Sequence, residues 1–317
     1  MTPELLALRD AVRSLLDRHS DVRAAIETPH GYDKDVWARL CEIGVVPVPE
    51  RFGGSGATQA EARVALAELG RTLTPAPLLS SALAAQALLD TENDEACARL
   101  LPRIAEGTVA ALIWSWDGGE IGDPARYVVD GDLAEILLLA DDTGLHEIDL
   151  SGITREHTPT MDATRRLATV HLANAAKTHL GPWSGRDTAI AFLAAEQVGA
   201  AARALELTVE YTKTRVQFGK PIGSFQALKH RMADLHVLVE TARSAAGAVT
   251  DEVSASVAKV YCSEAFFTVA AEMIQLHGGI AITWEHDAHL YFKRAHGSRQ
   301  LFGSPQVHLE RLGRSLS

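Results

Sequence analysis

The strongest constraint on the fold is the C-terminal part of the chain, which consists of long stretches with the apolar spacing of helices. After Ser184, apolar residues recur at helical spacing as far as Val209 without a proline, and Ser184 with Asp187 fits a helix-capping box. Further helices are predicted at 225–249, 251–277 and 288–300. Gly278 and Gly279 are predicted to end the 251–277 helix. Long helices with short connections favour an antiparallel four-helix bundle.

The N-terminal part of the chain is also predicted to be helical, whereas the middle is predicted to be a small β region. Helices are predicted at 3–16, 35–43, 59–73 and 78–89. Between about Gly107 and Ala175, short β-branched or apolar runs separated by Gly, Asp and Pro predict strands at 109–114, 127–129, 134–139 and 167–172. We therefore expect an N-terminal helical domain at 1–106, a middle β domain at 107–177 and a C-terminal helical domain at 178–317.

The composition fits a mainly α protein and limits what it binds. Of the 317 residues, 47% are hydrophobic, so the chain is able to bury a sizeable core. Only 6% are aromatic, and the abundance of Ala and Leu favours helix over a β-sandwich. The formal net charge of −11 argues against binding to nucleic acid, because a polyanion needs a basic surface that releases its counterions.

Cysteine usage and the N-terminus indicate the compartment. The three cysteines, Cys41, Cys97 and Cys262, are isolated, which argues against a disulfide framework and a zinc cluster. The first residues lack the basic region of a secretory signal, and no uninterrupted apolar run reaches the roughly 18 residues of a membrane span. We therefore expect a cytoplasmic protein that does not enter a membrane.

A block of cations and amides lies at the end of the first long C-terminal helix. Residues 211–226 read YTKTRVQFGKPIGSFQ. The helix is predicted to end near Lys213 and Arg215, and the next one to begin at Phe225. Such a corner suits a phosphate-bearing ligand, because Arg offers a fixed fork of donors to phosphate oxygens. The alternative is that these cations only complement the carbonyl end of a helix.

Several blocks together resemble the flavin-dependent acyl-CoA dehydrogenases. The block at 211–226 and a second one at 275–287, QLHGGIAITWEHD, resemble the C-terminal domain of that family. LCEIG at 40–44, PERFGGSG at 49–56 and ELGR at 68–71 resemble its N-terminal helical domain. The resemblance implies a mainly α, acyl-CoA dehydrogenase-like fold with an N-terminal helical domain, a shortened middle β domain and a C-terminal four-helix bundle. It also implies FAD as the cofactor.

The resemblance further implies which residues hold the cofactor. In the family, the R-x-Q-F-G block, the start of the next helix and the Q-x-x-G-G turn hold the ADP portion of an FAD that is bound mainly by a neighbouring subunit. Here those positions are Arg215, Gln217, Phe218, Phe225, Gln226, Gln275, Gly278 and Gly279. The chemistry agrees, because a guanidinium pairs with pyrophosphate and glycines let backbone amides approach a ligand closely.

The positions at which the family performs its chemistry differ in this chain. The family's middle domain opens with a T-E-P-x-A-G-S-D-like strand and loop that holds the flavin ring, but here AALIWSW at 110–116 leads directly into DGGE at 117–120. The carboxylate that removes the substrate's α-proton lies near the C-terminus in most members and on the first helix of the C-terminal domain in a minority. The matching positions here are Gly303 and Ala189, so both lack a carboxylate.

Other side chains could replace the missing carboxylate or bind a metal. Asp187 lies two residues from Ala189, but the predicted capping role accounts for it. Glu196 could face a cavity or pair within the bundle, and it is the weak candidate for a relocated base. The acids and histidines at 285–289 lack a recognised metal-ligand spacing, so no metal site is expected.

A chain that keeps the residues donated to a neighbour's FAD, but lacks the ring-binding strand and both base positions, has half of a composite site. It resembles the small, non-catalytic β subunit of actinobacterial heteromeric acyl-CoA dehydrogenases, which are α2β2 heterotetramers associated with CoA thioesters of sterol side chains. The resemblance implies a larger catalytic subunit as partner, α,β-desaturation of a steroid side-chain acyl-CoA, and inactivity of the chain alone. Electron-transferring flavoprotein is the usual electron acceptor in the family.

Two other functions stay open at this point. The chain could be a flavin-free, dehydrogenase-like scaffold protein. It could instead be an active homomeric acyl-CoA dehydrogenase with a relocated base such as Glu196. Retention of Arg215, Gln217 and the glycine turn argues against the scaffold.

Overall fold

The computed structural model of the protein describes residues 1–116, 120–173 and 175–315. The chain divides into two compact units. The first comprises 1–66 and 74–189, and the second comprises 67–73 and 190–317. The domain borders expected after residues 106 and 177 stay predictions.

The first unit begins with helices. They are α1 (Pro3–His19), α2 (Val22–Ile26), α3 (Lys34–Ile43), α4 (Gln59–Thr72), α5 (Leu78–Asp90) and α6 (Asp94–Ala105), with the end of α4 belonging to the second unit. The side chain of Asp33 caps α3 by accepting from the amides of Asp35 and Val36, and Gly44 ends α3 in the left-handed region at φ 83°. The predicted end of this helix is therefore confirmed. Helix α6, which the sequence analysis did not predict, starts at an Asn93 cap.

The middle of the chain forms two small sheets in the first unit. The strands are β1 (Ala110–Trp114), β2 (Ala125–Val129), β3 (Ile136–Asp141), β4 (Gly144–Ile148), β5 (Thr154–His157), β6 (Leu167–His171) and β7 (Lys177–Gly181). One sheet has the order β1-β3-β4-β7 and the other β2-β6-β5. Only β1 and β3 pair in parallel among these described ladders. The inner faces bury a continuous apolar core that includes Ile113, Leu137 and Val170.

The second unit is a helical bundle with a small hairpin. It contains most of α7 (Arg186–Thr214), then β8 (Val216–Gln217), β9 (Lys220–Pro221), α8 (Gln226–Gly247), α9 (Glu252–His277), α10 (Ala288–Gln300) and α11 (Pro305–Ser315). Helix α9 is central and packs against α8, α10 and α11. The predicted helical, β, helical order and the C-terminal bundle are confirmed. Helix α11 was not predicted.

The capping box lies at a different helix from the one expected. Helix α7 begins at Arg186, whose amide donates to the carbonyl of Ser184, so Ser184 is not the residue that caps it. The reciprocal bonds of a capping box are instead made at the start of α9 by Asp251 and Ser254. The pattern of Ser184 and Asp187 did not predict the capping box of α9.

Helix α9 and the turn after it, Glu252–Ile282, are long and apolar enough to cross a membrane on length and composition alone. In the structure, α9 buries residues such as Phe266 and Met273 against its neighbouring helices. A central bundle helix has the same composition as a membrane span. We interpret α9 as the core helix of the second unit.

A buried histidine fastens α11 to α9 and to the turn before α11. His308 is fully buried, with Nε2 3.0 Å from the carbonyl oxygen of Phe302 and Nδ1 3.3 Å from Oγ of Ser256. Because a carbonyl only accepts, Nε2 bears the proton and Nδ1 accepts from the serine hydroxyl. Burial, with the nearby charges of Lys259 and Arg311, lowers the pKa of His308 from 6.5 to about 4.

The lowered pKa of His308 predicts that acid destabilises the protein. The unfolded chain binds this proton more readily than the folded one, so the stability contributed by neutral His308 is complete above pH 6.5 and is lost as the pH falls from 6.5 towards 4. The loss amounts to about 3 kcal/mol at most. Urea unfolding midpoints measured across this range test it. In His308→Gln, which keeps a donor but does not titrate, we expect a shallower decline, and an equal decline in both proteins contradicts the assignment.

Candidate functional site

The R-x-Q-F-G block forms a tight hairpin directly after α7. Strands β8 and β9 pair Val216 with Pro221 and Gln217 with Lys220. The two residues at the tip, Phe218 and Gly219, both have positive φ, at 53° and 78°, which is the pattern of a type I′ turn. A non-glycine residue in this region is strained, and its strain is often linked to function.

The hairpin presents an aromatic side chain to the outside. Phe218 is 92% exposed, and its ring meets Phe225 edge-on at 6.2 Å. Nζ of Lys220 lies 4.3 Å from the centre of the Phe225 ring. Exposure of a large apolar ring at a strained position is costly in an isolated chain. The exposed Phe218 ring is therefore available for contact with another molecule.

The positive charge at this corner is smaller than the sequence suggests. Lys213 pairs with Glu210 at 2.7 Å, and Arg231 on α8 pairs with Glu272 on α9 at 2.6 Å. Arg215 and Lys229 have no acidic partner in the described part of the chain, and both are exposed. Of the cations that drew attention to this corner, Arg215 thus keeps its charge and its donors available.

The glycine turn follows the last residue of α9. Gly278 lies at φ 66° and ψ −145°, a conformation that L side chains rarely adopt, and its amide donates to the carbonyl of Ile274. A Cβ added at Gly278 or Gly279 would meet nothing within 4 Å. Gln275, one turn earlier, is exposed. The turn therefore presents backbone that no described part of the chain covers.

The structure brings these two segments to the same end of the bundle. Helices α8 and α9 run antiparallel, since Arg231 contacts Glu272 near one end and Cys262 bonds the carbonyl of Ala242 further along. The start of α8 therefore lies beside the end of α9. Of the predicted cofactor residues, Arg215, Gln217, Phe218, Gln226, Gln275, Gly278 and Gly279 are exposed and Phe225 is half-buried. Their role in binding stays a prediction.

Sequence reasoning missed a stack of rings beneath the glycine turn. The Tyr211 ring stacks on His277 at 4.2 Å, and His286 lies 4.5 Å from His277 on another side. Nδ1 of His277 is 2.8 Å from the carbonyl oxygen of Met273 and must donate to it. Burial, and then His286, lower the pKa of His277. Nε2 is buried and has no hydrogen-bond partner among the described residues.

These groups fit the ADP portion of FAD. Arg215 offers an unpaired guanidinium, which suits a pyrophosphate. Exposed amide side chains and an uncovered glycine backbone suit the remaining polar atoms of a dinucleotide. Nε2 of His277 lies buried beneath this turn and has no hydrogen-bond partner among the described residues.

The expected base positions hold no acid, and the candidate substitute is paired. Ala189 is buried on α7, and Gly303 is buried at φ 90° in the turn before α11. Glu196 is buried on α7, with Oε1 3.6 Å from Nη1 of Arg294, which is also buried. Asp187 lies half-buried in the first turn of α7. The carboxylate of Glu196 is thus held within a buried ion pair.

Two further segments were considered in the sequence: the end of β1, where the family has its flavin-ring loop, and the acids and histidines at 285–289. Trp114, the last residue of β1, meets Trp183 edge-on at 5.5 Å, and the loop 117–119 that the sequence analysis singled out lies outside the described residues. Nδ1 of His286 accepts from the amide of Ala288. No group of His, Cys, Asp and Glu with the make-up of a metal site occurs among the residues that the structure describes.

Comparisons with known proteins agree with this geometry. The models of the acyl-CoA dehydrogenase N-terminal and C-terminal domains match residues 2–108 and 191–317. The chain is 47% identical to the acyl-CoA dehydrogenase IpdE2 of Mycolicibacterium smegmatis over 322 aligned residues, which cover 98% of each chain.

Solved structures extend the similarity to the whole fold. A variant of the Tcur3481-Tcur3483 steroid ACAD has a TM-score of 0.87 at 28% identity, covering 98% of this chain and 97% of that chain. The ChsE4-ChsE5 complex from Mycobacterium tuberculosis has a TM-score of 0.88 at 25% identity, covering 100% and 98%. The fold predicted from the sequence is confirmed, and the chain belongs to the acyl-CoA dehydrogenase family.

Proposed function

We propose that this chain is the non-catalytic subunit of a heteromeric, FAD-dependent acyl-CoA dehydrogenase, in which it completes the FAD site of a larger catalytic subunit. The supporting observation is a combination within one unit. A set of dinucleotide-type donors that no described residue covers lies at one end of the bundle, whereas Gly303, at which the family resemblance expects the base, has no carboxylate. Such a chain is able to bind a dinucleotide, but it has no carboxylate at position 303 to remove a proton from a substrate.

The residues of this chain would hold the ADP portion of the cofactor. Arg215 would bind the pyrophosphate through charge-assisted hydrogen bonds, and Gly278 and Gly279 would admit the ligand to the backbone. FAD, the cofactor of the family, accepts the hydride that leaves the β-carbon of an acyl thioester when it is bound. The strained, exposed Phe218 would be covered by the partner subunit.

The flavin ring and the base would belong to the partner. The strand that holds the ring in the family corresponds here to β1, which ends in the Trp114 and Trp183 pair instead of a hydroxyl-rich loop. The short middle region is shared with IpdE2, since the alignment covers 98% of both chains. A subunit that never holds a ring needs neither the loop nor a base.

The relatives support a proposal for the assembly and the substrate. One similar structure is a complex of ChsE4 with ChsE5 and another is a steroid ACAD, which supports a heterotetramer acting on a steroid side-chain acyl-CoA. We further propose a cytoplasmic location and electron-transferring flavoprotein as the electron acceptor. If the purified complex oxidised short linear acyl-CoAs and ignored steroid-CoA thioesters, the substrate assignment would be wrong.

Two alternatives have less support. A homomeric dehydrogenase would need a relocated base, but the carboxylate of Glu196 is engaged with Arg294 in the bundle. A flavin-free scaffold would have no use for an exposed glycine turn at the same end of the bundle as an Arg215 that has no acidic partner among the described residues. The two alternatives and the proposed function each predict a different flavin content for the purified chain and for the complex.

The colour of the purified protein distinguishes these functions. Expressed alone, the chain is expected to be colourless. Co-expressed with a larger, catalytic acyl-CoA dehydrogenase subunit, the complex is expected to be yellow with about one FAD per pair of subunits, as a composite site requires. A yellow homomer that oxidises acyl-CoA contradicts the proposal, and a colourless complex favours the scaffold.

Removal of the Arg215 side chain tests the site itself. In the complex, Arg215→Ala is expected to weaken FAD binding about 10- to 100-fold, because a charge-assisted contact to the pyrophosphate is lost. Flavin retained after dialysis and fluorescence titration of the apo complex measure this. Lys213→Ala is the matched control, because Lys213 lies two residues away and is already paired with Glu210. Equal FAD affinity in both variants would show that Arg215 has no special role.

A further inference from the structure

One side chain connects the two segments that are predicted to bind the cofactor. Tyr211 lies in the last turn of α7, and its carbonyl oxygen accepts from the amide of Arg215 at 2.9 Å. Its hydroxyl donates to the carbonyl oxygen of His277 at 3.2 Å. Tyr211 thus bonds through its backbone to Arg215, which immediately precedes the hairpin, and through its hydroxyl to His277, which immediately precedes Gly278.

His277 is fixed more firmly than a helix end normally is. It is only 4% exposed, its ring contacts the rings of both Tyr211 and His286, and Nδ1 donates to the carbonyl of Met273. Both its backbone and its ring are therefore held by described neighbours. Helix ends usually fray, because their last carbonyls lack partners, and here the last carbonyl of α9 is satisfied by the Tyr211 hydroxyl.

The glycines themselves have no side-chain packing. A Cβ at Gly278 or Gly279 would find no atom within 4 Å, so no described side chain packs at these positions. They open a short 3-10 helix that ends at Ile282 and in which Ala281 is buried, so their placement depends on that helix on one side and on His277 on the other. A turn that must be ordered when the ligand binds loses affinity, whereas a turn that is already in place does not.

We propose that Tyr211 is a positioning residue, whose hydroxyl holds the Gly278-Gly279 turn in a fixed place relative to Arg215 so that both contact the same dinucleotide. This inference rests on the proposed function, because the dinucleotide is the ADP portion of FAD. Tyr211 does not itself touch the ligand in this arrangement. It acts through the carbonyl of His277 and the backbone of Arg215.

Tyr211→Phe tests this role, since it keeps the ring stack and deletes only the hydroxyl. In the complex, FAD affinity is expected to fall about three- to tenfold, as for one neutral hydrogen bond. Hydrogen exchange in the free chain, followed in a peptide covering 275–283, is expected to quicken by a similar factor. Tyr291→Phe is the control, because Tyr291 is also buried and its hydroxyl donates to the backbone carbonyl of Arg71 in the same unit. The control is expected to change the thermal midpoint without changing exchange at 275–283.

A double variant separates positioning from general stability. If Tyr211 acts by placing the turn relative to Arg215, then Tyr211→Phe costs less FAD affinity in an Arg215→Ala background than alone. Additive losses, or unchanged exchange at 275–283 in Tyr211→Phe, would overturn the positioning role. If the wild-type complex holds no FAD, the proposed function and this role are both wrong. If the wild-type complex holds FAD and the Tyr211→Phe complex binds FAD equally tightly, only the positioning role is wrong.

Discussion

Gly199→Ala is expected to prevent the second unit from folding normally. A Cβ at Gly199 on α7 would lie 1.9 Å from the carbonyl oxygen of Ala67, and a Cβ at Gly70 would lie 2.1 Å from that of Glu196. Real Cβ atoms are not found so close to backbone, so the end of α4 would have to move away from α7. Because both neighbours are backbone atoms, side-chain rotation gives no relief. We expect a loss of about 3 kcal/mol or more in the free energy of unfolding.

Urea unfolding of the isolated chain, followed by far-ultraviolet circular dichroism, measures this loss. Gly247→Ala is the matched control, since Gly247 is the last residue of α8 and a Cβ there meets nothing within 4 Å. It is expected to be neutral or to stabilise by up to about 1 kcal/mol, because Ala has the higher helix propensity. Equal unfolding midpoints for the two variants would mean that α4 and α7 do not touch at Gly70 and Gly199.

This contact shows where sequence reasoning stopped. The apolar period of α7 predicted a long helix, and ELGR at 68–71 took part in the family resemblance, but neither pattern indicated that the two segments meet backbone to backbone. A glycine inside a helix reads only as a weak position. The structure shows why these positions are glycine, because the backbone of Ala67 lies against Gly199 and the backbone of Glu196 lies against Gly70.

The secondary structure was predictable where a long apolar-rich segment lies between clear breakers. The predicted bounds of helices α8, α9 and α10 lie within about two residues of those observed. Strands β5 and β7 read TREH and KTHLG, and they are largely exposed. They are edge strands of their sheets and have no alternating apolar pattern to reveal them. Pairing with a neighbour, and not their own composition, makes them strands.

The candidate site was predictable as a set of residues but not as an electrostatic surface. Arg215 was predicted to bind the cofactor because it is the arginine of the R-x-Q-F-G motif. In the structure, its guanidinium has no acidic partner in the described part of the chain. No motif indicated that Glu272 pairs with Arg231, 41 residues away in the sequence, or that the Tyr211 hydroxyl bonds to the carbonyl of His277, 66 residues away. Such contacts depend on helix packing, which short motifs do not encode.

Glu196→Gln is expected to destabilise the chain strongly while leaving the activity of the folded complex unchanged. Glu196 and Arg294 are both buried, and breaking a buried ion pair by removing one of its charges costs about 3 to 5 kcal/mol. A relocated base would give the opposite pattern. Activity would fall by several orders of magnitude, because the α-proton could no longer be removed, and its loss would exceed any loss of folded protein.

The double variant Glu196→Gln with Arg294→Met decides between these readings. Because Arg294→Met also removes the buried positive charge, the double variant no longer buries one charge of a broken pair. Much of the stability lost in Glu196→Gln is therefore expected to return. Unfolding midpoints of all variants give the coupling energy, and acyl-CoA oxidation per FAD in the assembled complex gives the activity. If Glu196 serves only the fold, the double variant is both stable and active in the complex. A stable double variant that has lost activity would instead identify Glu196 as the base and place chemistry in this subunit.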